Sequence, residues 1–474
     1  MDLGILYVDP TAVVAFLARP MGSVISDLFA AGGWLIFVYM LFYAGLLLLY
    51  FYRRDQFKKN WKWVLLAIDI PPLNVQTPMA VEQMFNHLSG ALKTPDLSEM
   101  YRTGFKQRFF SFEIISIEGY IQFLVRTEEV LRDLVEASIY AQYPDAEITE
   151  VEDYTTGIPT KFPNDEYDIW AGDFALSAHQ GFPLRTYREF EHNISKDTVL
   201  KDPMGTFLES FSRLGPGEQM WFQMIVEPTD SKWKEPVIDE VKKIIGETKK
   251  TVAGIGDFFA DLPIKFLEGV GDQIFSREAS EPKKQEKPAE PNKIRYLTPG
   301  QSKLVESMEM KINKVGFKTK LRGIYIGRKE VFNPNRGVAA LIGAISQFNM
   351  PNANSLVPSF NTLGISYFFK KQRIAFRKTL LMAAYKKRRM KVGKTPFVLN
   401  IEELATLWHF PMSHVKTPLV MKAEGKRAEP PSSLPVELIA SPIISGLEKV
   451  MEKLPPSYTT DSGAVSEEGG VKFG

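Results

Sequence analysis

The stretch FFSFEIISIEGYIQFLVRT, Phe109–Thr127, decides the fold of this chain. Its two runs alternate apolar and polar side chains with a period of two residues, which is typical of β-strands. Glu118-Gly119 separates the runs, and such a dipeptide favours a tight hairpin. The stretch therefore predicts two neighbouring antiparallel strands.

The segments on either side extend this hairpin into a β-α-β-β-α-β unit. A buried type of strand, Trp63–Pro71, precedes Thr77–Leu92, in which apolar residues recur at helical spacing. After the hairpin comes a second amphipathic helix, Glu128–Pro144, and then the strand Ala146–Val151. This order is that of a ferredoxin-like split βαβ domain, which we place at residues 63–155.

A second α+β unit is predicted over residues 200–370, in the order α-β, insertion, α-β-α-β. The insertion covers 232–293, and its part 276–293 has the Pro, Glu and Lys composition of a disordered linker. Ser366–Phe369 is the expected last strand, and 455–474 is expected to be a disordered tail. The predicted fold class is α+β, with one N-terminal transmembrane helix followed by two ferredoxin-like split βαβ modules.

The transmembrane helix is predicted at Gly33–Tyr52, twenty residues without a charge. At 1.5 Å per residue this length matches a hydrocarbon core of about 30 Å. Aromatic residues at both ends and arginines just after the run suit the two membrane interfaces. The predicted interface residues are Trp34, Tyr50, Tyr52, Arg53 and Arg54.

Charge sets the predicted orientation of this helix. Basic residues dominate directly after Tyr52, whereas residues 1–32 hold three aspartates and one arginine. The positive-inside rule then predicts a single-pass protein of the cell inner (plasma) membrane, with the N-terminus outside and the bulk of the chain in the cytoplasm. Residues 11–31 suit a short interfacial helix better than a second span. A cleavable signal peptide is the competing interpretation; the acidic start and the missing A-x-A site oppose it.

Composition excludes several classes of function. The chain has no cysteine, so disulfides, thiolate metal sites and cysteine nucleophiles are excluded. A net charge of +2, from 58 basic and 56 acidic residues, gives no global attraction to nucleic acid. His409 and His414 are close in sequence with no acid between them, so we expect a packed or solvated side chain rather than a metal site. Glu150, Glu152 and Asp153 are expected to face water. We predict no catalytic residue, metal or cofactor.

Charge segregation is the strongest candidate for a binding site. Val331–Ile401 contains no Asp or Glu but twelve Lys and Arg residues. Aromatic and aliphatic residues between them, among them Phe368, Phe369, Phe376 and Tyr385, are expected to anchor one face of a helix while the cations point outward. The predicted surface for an anionic partner consists of Lys370, Lys371, Arg373, Arg377, Lys378, Lys386, Lys387, Arg388, Arg389 and Lys391.

Four interpretations of this surface remain open: contact with anionic lipid headgroups, with DNA, with an acidic partner protein, or a solvated helix with no partner. Lipid contact has a geometric advantage because the anchor holds the domain close to the bilayer.

Several blocks together carry a resemblance to a known family. They are TPMAVEQMF, IYAQYPDAEITEVEDYT, DPMGTFLESFSRLGPGEQMWFQMIVEP and LNIEELATLWHFP. In this order they resemble the region ahead of the motor domain in type IV secretion and conjugative-transfer ATPases, notably the membrane-linked forms of small-genome bacteria. The resemblance covers residues 63–435. In those relatives a block similar to the last one, starting here at Leu399, leads into a P-loop core.

This chain departs from the family at that core, because it contains no G-x-x-x-x-G-K-[ST] motif. The nearest fragment, Gly393-Lys394-Thr395, has Arg388 in place of the first glycine. The resemblance thus implies a non-enzymatic, membrane-anchored part of a larger translocation assembly, which recruits or positions a separately encoded P-loop ATPase through the basic helix and docking segment at 371–435. The alternative is a membrane-tethered nucleic-acid-binding protein that uses residues 370–394.

Overall fold

The computed structural model describes residues 18–71, 74–192, 199–200, 202–246, 297–363 and 368–413. The predicted linker, the predicted tail, most of the insertion and half of the strand expected at Ser366–Phe369 lie outside these residues. The helices are α1 Met21–Leu28, α2 Trp34–Lys59, α3 Pro78–Leu88, α4 Leu97–Arg102, α5 Arg132–Tyr140, α6 Pro203–Ser212, α7 Lys234–Ile245, α8 Pro299–Ile312, α9 Pro334–Ser346, α10 Lys370–Lys386 and α11 Ile401–Leu407. The strands are β1 Trp63–Asp69, β2 Phe110–Ile117, β3 Tyr120–Glu128, β4 Glu147–Glu150, β5 Tyr167–Leu176, β6 Glu191–His192, β7 Val199–Leu200, β8 Glu218–Pro228, β9 Gly316–Arg328, β10 Leu356–Asn361 and β11 Phe397–Asn400.

The hairpin predicted from the central stretch is confirmed. Strands β2 and β3 pair antiparallel up to Ile117 and Tyr120, which leaves a two-residue loop. Glu118 has a φ of 54° and Gly119 a φ of 91°. Positive φ at both central positions gives the turn a twist that matches the flanking strands, and glycine adopts it at little cost.

Nine strands form one antiparallel sheet in the order β10-β5-β9-β8-β2-β3-β1-β4, with β11 added beside β9. Its N-terminal half has the order β4-β1-β3-β2, and β10-β5-β9-β8 repeats that order with the later strands. Strands β2 and β8 join the halves from Phe110 opposite Val226 to Ile117 opposite Gln219. The α+β class is therefore confirmed, and the two predicted units share a single sheet.

The sheet buries both of its faces. One face carries a large apolar cluster that includes Leu66, Phe112 and Phe222 and is covered by helices α3, α5, α6, α9 and α11. The alternate residues of the same strands point to the other face, where Leu381, Met382 and Tyr385 of α10 pack against them. Because side chains alternate along a strand, each face is lined by every second residue.

Helix α2 is the described helix that is long and apolar enough to cross a membrane. The prediction of a long apolar helix near the N-terminus is confirmed, and its most apolar window has no residue buried by the protein. A signal sequence near the N-terminus passes the same test of length and composition, so these properties are compatible with both a membrane anchor and a signal sequence. Gly32, whose φ of 106° is not helical, forms a kink between α1 and α2.

Candidate functional site

The start of the basic segment, Lys370–Lys394, is exposed. The side chains of Phe368, Phe369 and Phe376 are 90%, 76% and 69% exposed, so the expectation that they anchor the helix is wrong. Helix α10 begins only at Lys370, after Phe369 in the left-handed region. We call the outer patch six of the exposed residues at this end: Leu363, Phe368, Phe369, Lys370, Lys371 and Phe376.

Further along α10 the predicted surface residues turn toward the protein. Arg377 donates a hydrogen bond from Nη1 to the carbonyl of Asn361 at 2.8 Å and lies over the ring of Phe360, 4.6 Å from its centroid. Lys378 forms an ion pair with Asp168. Lys386 donates to a carbonyl on the loop after β4. These cations hold the helix on the sheet; Arg373, Lys387, Arg389 and Lys391 remain exposed.

Arg388 does not belong to the predicted surface, because its side chain is buried. Its guanidinium binds Glu113 with two hydrogen bonds of 3.0 Å, one from Nε and one from Nη2. It also pairs with Asp153, a residue expected to face water. A planar guanidinium matches a carboxylate in this bidentate way, so Arg388 ties the end of α10 to strand β2.

Glu113 is the centre of a buried ionic network. Its carboxylate also accepts hydrogen bonds from Ser111 at 2.6 Å, Tyr154 at 2.8 Å and Gln223 at 2.9 Å. Burial by itself raises the pKa of Glu113, but the charge and hydrogen bonds of Arg388 outweigh it and leave the pKa below its ordinary value. The carboxylate is therefore ionised and satisfied at neutral pH.

Asp173 holds the turn that follows α10. Its carboxylate pairs with Lys320 at 2.6 Å and with Arg322 at 2.8 Å, and the backbone N–H of Lys394 donates to it at 2.8 Å. Gly393 has a φ of 85°, and a Cβ there would overlap the Asp173 carboxylate. The Gly393-Lys394-Thr395 fragment is therefore hydrogen-bonded to a carboxylate of the same chain.

The two networks lie on one row of the sheet. Glu113 is the register partner of Gln223, Gln223 of Arg322, and Arg322 of Asp173. Sequence reasoning missed this row, since β5 was not predicted and the burial of polar strand residues cannot be read from alternation. The sequence held one signal of this row: Glu113 lies on the same face of the strongly apolar strand β2 as Ser111 and Ile115.

The predicted docking helix is part of the core. Six of the seven residues of α11 are buried, and Trp408, just after it, is fully buried. Asn400 and Glu403 form the N-terminal cap of α11, while Glu403 also pairs with the buried Lys311 at 3.0 Å. We therefore correct the expectation of a partner surface here: α11 docks within its own chain.

The predicted membrane-interface residues divide in a similar way. Trp34, Tyr52 and Arg53 are exposed. The ring of Tyr50 lies 5.9 Å from that of Tyr101 on α4, and Arg54 lies 5.3 Å from the Tyr50 ring centroid. The end of α2 therefore contacts the α+β body on one side only.

His409 is packed, as expected. Its Nε2 lies 2.8 Å from Asp202, and its Nδ1 lies 2.8 Å from the carbonyl of Ala405. Within the described ranges, no three His, Asp or Glu side chains are placed to hold a metal ion.

The fold and site define an α+β protein with an apolar N-terminal helix and a cation-rich helix that is half exposed and half locked to the sheet. Residues 80–423, well over half of the chain, match the family described as "Domain of unknown function (DUF8128)". The chain belongs to this family. A search of curated proteins finds no match.

Proposed function

We propose that this chain is a membrane-anchored, non-catalytic component of a type IV secretion or conjugation-like translocation apparatus. Helix α2 would anchor it as a single-pass protein of the cell inner membrane, with the N-terminus outside and the α+β body in the cytoplasm. The outer patch would dock a separately encoded P-loop ATPase with an acidic surface. The sequence blocks between Thr77 and Pro411 support the choice of apparatus by resemblance.

We also propose that each half of the sheet is a ferredoxin-like module. The strand order β4-β1-β3-β2 and its repeat β10-β5-β9-β8 support this view. Helices lie between the first and second and between the third and fourth strands of each half. The β2–β8 pairing would then join two modules by the same strand position.

The outer patch is the observation that carries the proposed docking. Large aromatic side chains that are more than two-thirds exposed are unusual on a solvated surface, and two lysines stand beside them. The opposite end of α10 is fixed by Arg388 and Tyr385. The lysines and Phe376 of the patch therefore lie on an anchored helix, and Phe368 and Phe369 directly precede it. Exposed aromatic side chains are enriched at protein-binding surfaces, and the two lysines would give the contact electrostatic complementarity to an acidic partner.

Nucleic-acid binding is the second candidate, and the same three phenylalanines favour it. Exposed aromatic rings beside lysines can stack on unpaired bases while the cations contact phosphates. Binding of this kind weakens steeply as salt rises. Salt dependence and the identity of the ligand therefore separate the two candidates.

The docking test uses the full chain in nanodiscs of zwitterionic lipid and the P-loop ATPase encoded nearest to its gene. Lys370→Glu combined with Lys371→Glu should weaken the complex roughly tenfold, or ~1.4 kcal/mol, measured by biolayer interferometry. Lys303→Glu with Lys329→Glu is the matched control, because both lysines are exposed elsewhere and should leave the affinity unchanged.

Two outcomes would count against docking, and a third would count against the non-catalytic assignment. Equal weakening in the control pair would mean a general charge effect. Salt-sensitive binding of single-stranded DNA that Phe368→Ala and Phe369→Ala abolish, without ATPase binding, would establish the second candidate instead. Nucleotide turnover by the pure chain would overturn the non-catalytic assignment.

Membrane topology is tested separately by cysteine labelling, which is clean because the chain has no cysteine of its own. Gly22→Cys, at a position with open space around it, should react with an impermeant maleimide on intact cells. Lys303→Cys should react only after lysis. The reverse pattern would place the body outside, and release of the chain by carbonate would exclude an anchor.

A further inference from the structure

A cavity of about 890 Å³ lies where α2 meets the ends of the sheet strands. Its walls come from the last turns of α2, the segment between α3 and β2, and the ends of β8, β9 and β11. Tyr50 and Arg54 are the contributions of α2. This size is in the range of cavities that hold small ligands.

Close contacts fix the level of the cavity on α2. Gly104 has a φ of 70°, and a Cβ there would overlap the backbone of Arg53 and Arg54. One turn further along, the ring of Phe57 lies 5.7 Å from that of Phe105. The cavity therefore lies beside the first charged turn after the apolar run. If α2 spans a bilayer, as the proposed function holds, lipid headgroups lie at this level.

Positive charge dominates the cavity lining. Its cations are Arg54, Lys93, Lys106, Lys232, Lys318 and Lys391, and its carboxylates are Glu227 and Asp230. Among the described residues, Lys93 is the one cation of these six that forms an ion pair, with Glu99 at 3.2 Å. The lining thus holds a group of cations with too few counter-charges.

Lys106 shows the electrostatic cost of this arrangement. Burial lowers its pKa; Glu227 offsets part of that effect, while Lys58, Arg54 and Lys391 add repulsion. The ammonium lies 5.2 Å from the ring centroid of Phe109, a contact that favours a cation. A bound anion would supply the counter-charge that the cavity lining lacks.

We infer that this cavity binds the phosphate headgroup of an anionic phospholipid. Lys106, Lys318 and Lys391 would contact the phosphate, and Met100 and Phe105 would cover the start of the acyl chains. Free phosphate shares the same polar chemistry. The lipid is favoured because apolar lining residues and the exposed apolar surface of α2 lie next to the cations.

The test uses the full chain in a zwitterionic detergent, with short-chain phosphatidylglycerol, short-chain phosphatidylcholine and inorganic phosphate as probes. Phosphatidylglycerol at about one hundred times its Kd should raise the melting temperature by about 5 °C. Lys106→Gln with Lys391→Gln should lose at least half of this rise. Lys303→Gln with Lys329→Gln removes the same charge elsewhere and should keep it.

Each other result overturns the inference. An equal rise with phosphatidylcholine would show no use of the cations, and an equal rise with inorganic phosphate would mean a free anion is bound. An unchanged rise in the Lys106 and Lys391 variant would place the lipid elsewhere. If that variant melts early without lipid, Lys318→Gln replaces it, and native mass spectrometry counts the retained phosphatidylglycerol.

This inference rests on the proposed membrane anchorage, and the two can fail separately. Carbonate extraction of the chain from cell membranes tests the anchor without reference to the cavity. A chain that resists extraction but shows no selective rise with phosphatidylglycerol would retain the anchor and lose the lipid site.

Discussion

The two ends of the basic segment have similar composition and opposite environments. At the start, Lys370 and Lys371 are exposed beside bare phenylalanine rings. At the other end, Arg388 is buried and bound to Glu113, and Lys394 contacts Asp173 through its backbone. The difference is the set of carboxylates that the sheet presents beneath the second half. A cation-rich stretch of sequence can thus contain both an exposed surface and a buried cation that holds a helix on the sheet.

The locked end explains why the exposed end can be rigid. A buried ion pair costs desolvation, and it persists when the geometry satisfies both partners. Here Glu113 has partners from β2, β8 and the loop after β4 in addition to Arg388. The network therefore fixes the C-terminal end of α10 on the sheet. Because the outer patch lies at the other end of the same helix, this contact also sets the position of the patch.

The largest effect is expected from Arg388→Ala. It leaves Glu113 buried without its main partner, which should cost about 3–5 kcal/mol of the free energy of unfolding. Urea unfolding of the full chain in detergent measures this loss. Arg389→Ala, one residue along and exposed, should cost under about 0.5 kcal/mol. Similar losses in both variants would mean that the two ends of the segment do not differ as described.

A smaller effect is expected from Gly393→Ala, which probes the Asp173 contact. The positive φ and the overlap of the new Cβ with the carboxylate should cost about 1–3 kcal/mol. Gly343→Ala is the contrast, since that helical glycine has open space and should gain about 0.4–1 kcal/mol. Thermal unfolding compares the two, and a neutral Gly393→Ala would show that the turn is not held tightly.

The smallest effect is expected from protonation of Glu113 alone, because the side chain stays in place and loses only its charge. Burial raises and Arg388 lowers the pKa of Glu113, and the net value lies below the ordinary 4.5. A lowered carboxyl pKa contributes stability above the unfolded value and loses it as pH falls through the folded value. Unfolding measured from pH 7 to 3 should therefore show a loss beginning below about pH 4.5, with a shallower fall in Glu113→Gln than in the parent. If the stability of the parent and of Glu113→Gln falls in parallel with pH, Glu113 does not contribute to the acid response.

Local signals in the sequence predicted many elements correctly. The Glu118-Gly119 hairpin and the helix predicted within Thr77–Leu92 are both present. Each depends on residues within a few positions of one another, so short-range rules are sufficient. Strand β5 was missed because Gly172 and Asp173 interrupt its apolar pattern.

The candidate site was less predictable. The sequence marked the cation-rich segment but gave no means to separate Lys370 from Arg388. Their difference depends on Glu113, hundreds of positions away, and on the register of β2 beneath α10. Contacts of this kind are set by packing, which composition and periodicity do not encode.

The sequence by itself determined the α+β class, the long apolar helix predicted at Gly33–Tyr52, the central hairpin and the charge of the basic segment, since these follow from side-chain pattern and local turn chemistry. Only the tertiary structure decided that the two units share one sheet, that α11 lies in the core and that Arg388 is buried. These properties depend on which polar groups meet across the sheet, because a charge can leave water only where its partner is already in place.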